Sequence, residues 1–174
     1  MNLETERLII VSLSLENFKL YLEDRKKLEE NLGVVVTGEK TASKKKKIFQ
    51  EPYEKAKKDS ANYLWYTNWQ VILKKENRIV CGITFKDIPN DAGEVEIGYG
   101  TREGYKNKGY MTETVTRLVR WAFEQREVNS VLAETNKDNK ASQKVLDKSG
   151  FRRFRTTEKS YWYRVDRKNT TRKR

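Results

Sequence analysis

The chain contains no histidine, one cysteine and two prolines in 174 residues. Without histidine there is no imidazole base, no His-containing triad and no imidazole metal ligand. With a single cysteine, the remaining metal ligands are carboxylates and carbonyls, which disfavours zinc and leaves no metal site to expect. A lone cysteine cannot close an intrachain disulfide and fits a reducing compartment. No apolar run approaches the ~18 residues of a membrane span, and the opening MNLETERL is no signal peptide. These absences lead to the expectation of a cytoplasmic, soluble protein with no membrane partner. Apolar residues make up 36% and charged residues 36%, a polar balance, but the 11% aromatics sit inside patterned segments, which argues for a folded chain. The length suits one domain over residues 1–166, followed by a basic, disordered tail over 167–174.

The formal net charge is +12, and it is concentrated. Residues 40–58 hold a net +6 and residues 152–174 a net +8, so the rest of the chain sums to −2. Such runs are commonly solvated faces and frayed ends. Their functional reading is an electrostatic footprint for a polyanion such as ribosomal RNA.

Periodicity predicts the elements. Arg7–Ser12 is a β-branched strand, and Leu15–Leu22 has helical spacing. Asn31–Gly38 reads as a loop or a short extended piece, and Ala42–Lys58 as a helix broken at Pro52. Trp69–Leu73 and Ile79–Phe85 form a hairpin through Lys75–Arg78. Glu94–Gly100 alternates, with Val95, Ile97 and Tyr99 on one face and Glu94, Glu96 and Gly98 on the other. Met111, Val115, Leu118, Val119, Ala122 and Phe123 make one apolar helical stripe. Val128–Thr135 is a strand, Asn139–Lys148 a helix closed by Gly150, and Phe151–Thr156 with Tyr161–Val165 a second hairpin. Strand 94–100, helix 111–126 and strand 128–135 constitute a β-α-β unit with parallel strands, and the flanking hairpins make the remaining sheet antiparallel.

The segment YKNKGYM, Tyr105–Met111, follows a strand and opens a helix. The free N–H groups and dipole of a helix start suit a phosphate, Gly109 permits close approach, and Lys106 and Lys108 add charge. A P-loop is excluded, because Tyr110 follows Gly109 where lysine must stand. A dinucleotide fingerprint is excluded, because Glu103 takes the third glycine position after Gly98 and Gly100.

The blocks EIGYG, GYKNKGYMTET and NKASQKVLDKSGF, in that order, resemble the signatures of the GNAT superfamily of acyl-CoA-dependent N-acetyltransferases. Against that family's Gln/Arg-x-x-Gly-x-Gly/Ala loop, Lys106, Gly109 and Met111 stand at the three marked positions, and only the central glycine matches strictly. Asn-x-Ala-Ser before a helix and Gly-Phe, together with the opening LETERLII, is similar to the branch containing ribosomal-protein serine and alanine N-acetyltransferases. The resemblance covers residues 78–155 and, more weakly, 3–12. It implies a mixed α/β GNAT fold: a mostly antiparallel, six- to seven-stranded sheet with a central parallel β-α-β unit and helices on both faces. It also implies acetyl-CoA as acyl-donor substrate, no metal, and a primary amine acceptor, either a protein N-terminus or a small molecule.

By that resemblance, the backbone of Ile97, Gly98 and Tyr99 pairs with the pantetheine arm. The N–H groups of Lys106, Asn107, Lys108, Gly109, Tyr110, Met111 and Thr112 hold the pyrophosphate, and Asn139 bonds the pantetheine region. Glu96 resembles the family's candidate base, with Glu134 as runner-up. The tyrosine that many members use as general acid is replaced by Leu146, and Ser142 is the expected donor to the thiolate. Cys81 lies in an alternating strand and reads as core. The rival expectation is a basic RNA- or ribosome-binding module on the same scaffold with little catalysis.

Overall fold

The computed structural model describes residues 1–167. Eight strands form one sheet: β1 (Asn2–Glu4), β2 (Leu8–Ser12), β3 (Asn68–Leu73), β4 (Arg78–Phe85), β5 (Glu94–Thr101), β6 (Ser130–Asn136), β7 (Arg152–Thr156) and β8 (Ser160–Asp166). Their spatial order is β1-β2-β3-β4-β5-β6-β8-β7, antiparallel except for the β5–β6 pair. The sheet therefore exceeds the expected six or seven strands. The addition is β1, three residues too short to show alternation, which pairs Leu3 opposite Ile10.

Among the described residues six α-helices accompany the sheet: α1 (Leu15–Glu23), α2 (Arg25–Asn31), α3 (Ser43–Lys58), α4 (Tyr63–Tyr66), α5 (Tyr110–Glu124) and α6 (Lys140–Lys148). The strand alternation decides which helices lie on which face. On β2, Leu8 and Ile10 join the main core with Val115, Leu118 and Ala122 of α5, whereas Ile9 and Val11 face the other way, toward Val34, Ile72 and Ile79. Helix α5 and Leu146 of α6 thus pack on one face. On the opposite side, α1, α2 and α3 share a cluster built on Leu13, Phe18, Tyr21, Leu22 and Leu28.

Pro52 does not break α3, which runs unbroken to Lys58. Its missing N–H costs one backbone bond, on the order of 3 kcal/mol. Packing on both sides of the proline offsets this: Phe49 lies 5.6 Å from the Tyr21 ring, Tyr53 lies 5.5 Å from Phe18, and Ala56 is fully buried. The tail expected over 167–174 falls outside the described residues apart from Arg167, which donates to the carbonyls of Val128 and Gln125.

The β5–β6 pair positions the site. Its register runs from Glu94 opposite Ser130 to Ile97 opposite Ala133 and then stops. Beyond it β5 continues to Thr101 and β6 to Asn136, so the two strands part after Ile97. On its other side β5 stays paired to β4 through Thr101.

Candidate active site

Three features converge where β5 and β6 diverge. The first is the helix start. Gly109 caps α5 at φ +80°, with Asn107 at φ +61° and Gly104 at φ +78°, so the loop winds tightly before the helix begins. The first intrahelical bond is Glu113 N–H to the Gly109 carbonyl, 3.1 Å. The amides of Tyr110, Met111 and Thr112 thus have no acceptor within the helix. The Met111 side chain is buried in the core, while its amide remains in this first turn. The side chains of Lys106 and Lys108 are engaged locally: Lys106 pairs with Glu103 at 2.6 Å, and the Lys108 ammonium lies 5.2 Å from the Tyr105 ring centroid.

A brace from the N-terminal segment holds this turn. Arg7 Nε donates to Glu113 Oε2 at 2.7 Å, Arg7 Nη1 donates to the Lys108 carbonyl at 3.0 Å, and the guanidinium lies 4.7 Å over the Tyr110 ring. Thr5 Oγ1 and the Arg7 amide also donate to Glu113. Partial burial pulls the Glu113 carboxyl up, but these hydrogen bonds outweigh it and hold the group below its ordinary value. Sequence reasoning missed this brace, because its partners are 106 residues apart. Only an acid in the first turn of α5 hinted at it.

The second feature is the gap, a cavity of about 290 Å³ lined by Ile97, Gly98, Tyr99, Glu134, Asn139 and Ser142, among others. Among the described residues no strand pairs β5 on this side from Gly98 onward, so its backbone presents an open edge to an extended ligand. Asn139 caps α6, accepting from the Ser142 amide at 3.1 Å. Ser142 Oγ and Tyr99 Oη are 2.9 Å apart. Burial pushes the Tyr99 phenol up to about 12, so it stays protonated at neutral pH. Leu146 is fully buried in the core and contributes no polar group. The Tyr99 hydroxyl is a donor at the gap that sequence reasoning overlooked, having assigned this residue a backbone role only.

The two carboxylates are placed differently. Glu96 shares the Gly98 face of β5 and is paired with Lys86 of the strand end beyond β4. It is not among the residues lining the gap, whereas the exposed Glu134 is.

The third feature is a larger cavity of about 730 Å³, between α3 and the Glu96–Gly98 face of the sheet. Part of its floor is bare backbone, because Gly82 pairs with Gly100 and Gly98 stands opposite Thr84. A Cβ at Gly98 or Gly100 would meet no atom within 4 Å. Asn68 and Gln70 of β3 also line it, hydrogen-bonded to each other. A buried ion cluster ties its wall together. Glu29, 1% exposed, accepts from Arg102 Nη2 at 3.0 Å, from Arg25 Nε at 3.3 Å and from the Thr37 amide at 2.7 Å. Burial raises the Glu29 carboxyl, but the Thr37 and guanidinium hydrogen bonds hold it below its usual value. Cys81 is buried, and that burial pushes its thiol up to about 11, leaving it protonated as a core residue. Gly98 and Tyr99 border both cavities, so the gap and the larger cavity meet there.

The family model described as "Acetyltransferase (GNAT) domain" matches residues 7–152, so the chain belongs to the GNAT acetyltransferase family. Members of this family use acetyl-CoA as acyl donor. The chain is 33% identical over 101 residues to the uncharacterized N-acetyltransferase YjdG of Bacillus subtilis (strain 168). That match spans 58% of this chain and 60% of YjdG. Among solved structures, the ribosomal-protein-S5-alanine acetyltransferase of Vibrio fischeri superposes with TM-score 0.69 at 15% identity, covering 100% of both chains. The spermidine N-acetyltransferase of Vibrio cholerae, in complex with CoA and spermine, gives 0.64 at 12% identity, covering 95% of this chain and 98% of that one. These two likenesses establish the fold. Among the described residues, no helix is long and apolar enough to cross a membrane.

Proposed function

We propose that this protein transfers the acetyl group of acetyl-CoA directly to a primary amine, either a protein N-terminus or a small molecule. The observation that carries the reading is the junction at Gly98–Tyr99, where a narrow gap with an open strand edge meets a roomy second cavity. In this reading the pantetheine of acetyl-CoA runs along Ile97–Tyr99 in the first, with Asn139 at the other wall, and its pyrophosphate sits at the amides of Lys106–Thr112 before and at the start of α5. The amine reaches the thioester carbonyl from the second. Its nitrogen bonds the carbonyl carbon, the C–S bond breaks, and the sulfur leaves as a thiolate.

The amine must lose a proton and the thiolate must gain one. For the first transfer Glu96, paired with Lys86, serves through water. Glu134, which lines the gap itself, is the second carboxylate within reach. For the second transfer Ser142 is the donor, and the Tyr99 phenol beside it replenishes the proton. Support for this pair is their 2.9 Å contact in a gap where Leu146 offers nothing.

The rival reading is an RNA- or ribosome-binding module with little catalysis. It draws on the exposed basic strand β7, where Arg153 lies 4.5 Å over Tyr161 and Arg155 lies 4.7 Å over Trp162. One experiment separates the two: release of free thiol from acetyl-CoA with a panel of amines, run beside salt-dependent RNA binding. Amine-dependent thiol release supports the transferase. Tight, salt-sensitive RNA binding with no thiol release favours the rival.

A further inference from the structure

The larger cavity is charged in one sense. Its lining carries Arg25, Lys40, Lys45, Lys55, Lys86 and Arg102, but only Glu39 and Glu51 as acids. Local pairing does not distribute evenly over these cations. Lys55 is matched by Glu51 and Asp87, and Lys86 by Glu96. At the opposite end, Arg25 and Arg102 share the buried carboxylate Glu29, Arg102 also pairs with the exposed Glu39 at 3.5 Å, and Lys45 makes no ion pair among the described residues. Burial and repulsion from Arg25 and Arg102 both lower the Lys45 ammonium below its ordinary value, and Glu39 offsets only part of this. Three cations thus converge on one end of a cavity whose other end is the Gly98–Tyr99 junction. Against the two carboxylates Glu29 and Glu39 they leave a surplus of positive charge in a partly enclosed site, which an anion completes.

The separation of the two ends follows from the strand. Arg102 directly follows β5, four residues after Gly98, and the alternation puts it on the Gly98 face. At ~3.3 Å per residue, the cationic end lies roughly 13 Å from the junction. Extended peptide rises by the same increment, and an acidic side chain reaches a few ångströms further.

Resting on the transferase reading above, we propose that the acceptor is an anion-bearing primary amine: an extended N-terminal peptide with an acidic side chain at its third or fourth residue. The α-amine stands at Gly98–Tyr99, the backbone crosses the glycine floor of Gly82, Gly98 and Gly100, and the acid lies among Arg25, Lys45 and Arg102. The same field excludes polyamines, whose second cation would have to occupy that end.

The test uses the full chain with acetyl-CoA and matched peptide amides, Ala-Ala-Glu-Ala, Ala-Ala-Gln-Ala and Ala-Ala-Lys-Ala, beside spermidine. The Glu peptide is expected to exceed the Gln peptide about tenfold in kcat/KM, with the Lys peptide and spermidine lower still. Lys45 is on the solvent side of the wall, and Lys45→Glu is expected to collapse the Glu preference and invert the order of the Glu and Lys peptides. Titration of the peptides into protein saturated with CoA gives a readout without turnover, and the same tenfold order is expected there. Equal rates for the Glu and Gln peptides, or a preference for the Lys peptide or spermidine, would overturn the proposal and leave the transferase reading standing. No acetylation of any amine, with acetyl-CoA bound, would overturn both.

Discussion

Replacing Gly109 by valine tests the donor site most directly. Gly109 sits at φ +80°, where an L-residue costs ~1–2 kcal/mol and a β-branched one lies at the upper end or beyond. An added Cβ would also stand 3.3 Å from Arg7 Nη2, a close contact that the guanidinium must yield to. Arg7 would then be pulled from the Lys108 carbonyl and the Glu113 carboxylate, loosening the brace of the turn. The stability loss is about 2 kcal/mol, or ~4–8 °C in melting temperature for a domain of this size. If the loop instead relaxes to negative φ, the first-turn amides swing away from the pyrophosphate. Losing one charge-assisted hydrogen bond, worth ~1.5–3 kcal/mol, weakens acetyl-CoA binding on the order of 10- to 100-fold. Calorimetric titration of acetyl-CoA into Gly109→Val, beside scanning calorimetry of the same protein, measures both quantities. An affinity within about twofold of the parent, in a variant that still unfolds cooperatively, would remove the helix start from the site.

Ser142→Ala and Tyr99→Phe should each lower kcat ~10- to 100-fold with little change in acetyl-CoA affinity. The defect should shrink for an acyl donor with a more acidic thiol, and parent-like rates in both would discard the donor pair. Glu29→Gln leaves Arg25 and Arg102 short of their buried partner and should cost ~3–5 kcal/mol at neutral pH, read by urea unfolding. Because the folded Glu29 carboxyl lies below its unfolded value, the unfolded chain binds the proton first. Its contribution is full above about pH 4.3 and fades as pH falls through the folded value, so the variant should lose less stability between pH 5 and 3 than the parent. Parallel acid limbs would contradict that assignment. Pro52→Ala restores a backbone donor in mid-helix and should raise the melting temperature by about 6–12 °C; an unchanged value would mean that the proline ring contributes compensating contacts.

What was legible in the sequence is what repeats locally. The alternation of Glu94–Gly100 assigned both faces of β5, and the stripe from Met111 to Phe123 assigned the buried side of α5. Gly150, at φ +87°, ends α6 as its position suggested. The elements that escaped are those whose stability is tertiary. Strand β1 is three residues long, and α2 is a seven-residue helix whose buried members are Leu28 and Glu29. A buried glutamate reads as solvent-facing until Arg25, Thr37 and Arg102 are seen around it. Tyr99 was legible as an inward residue, but its contact with Ser142 spans 43 positions and leaves no trace in spacing.

The charge run over residues 40–58 shows why the acceptor side was the less legible half of the site. In the sequence, Lys44–Lys47 lie outside the blocks that resemble the family's signatures and read as a solvated face or a footprint for a polyanion. In the fold, α3 lies over the glycine floor, so Lys45 and Lys55 of that run line the larger cavity. The donor side is built from a backbone edge and a helix start, which demand glycines at fixed intervals and so mark the sequence. The proposed acceptor side is built from long side chains on separate elements, among them α2, α3 and the end of β5, meeting across a cavity. Such side chains place no demand on local spacing, so the sequence preserves their charge but not their convergence. The same contrast fits a family in which one donor serves many acceptors. In the proposed reading the donor cradle is set by backbone geometry, while acceptor choice rests on the charges of the helices above it, which can change without disturbing the sheet.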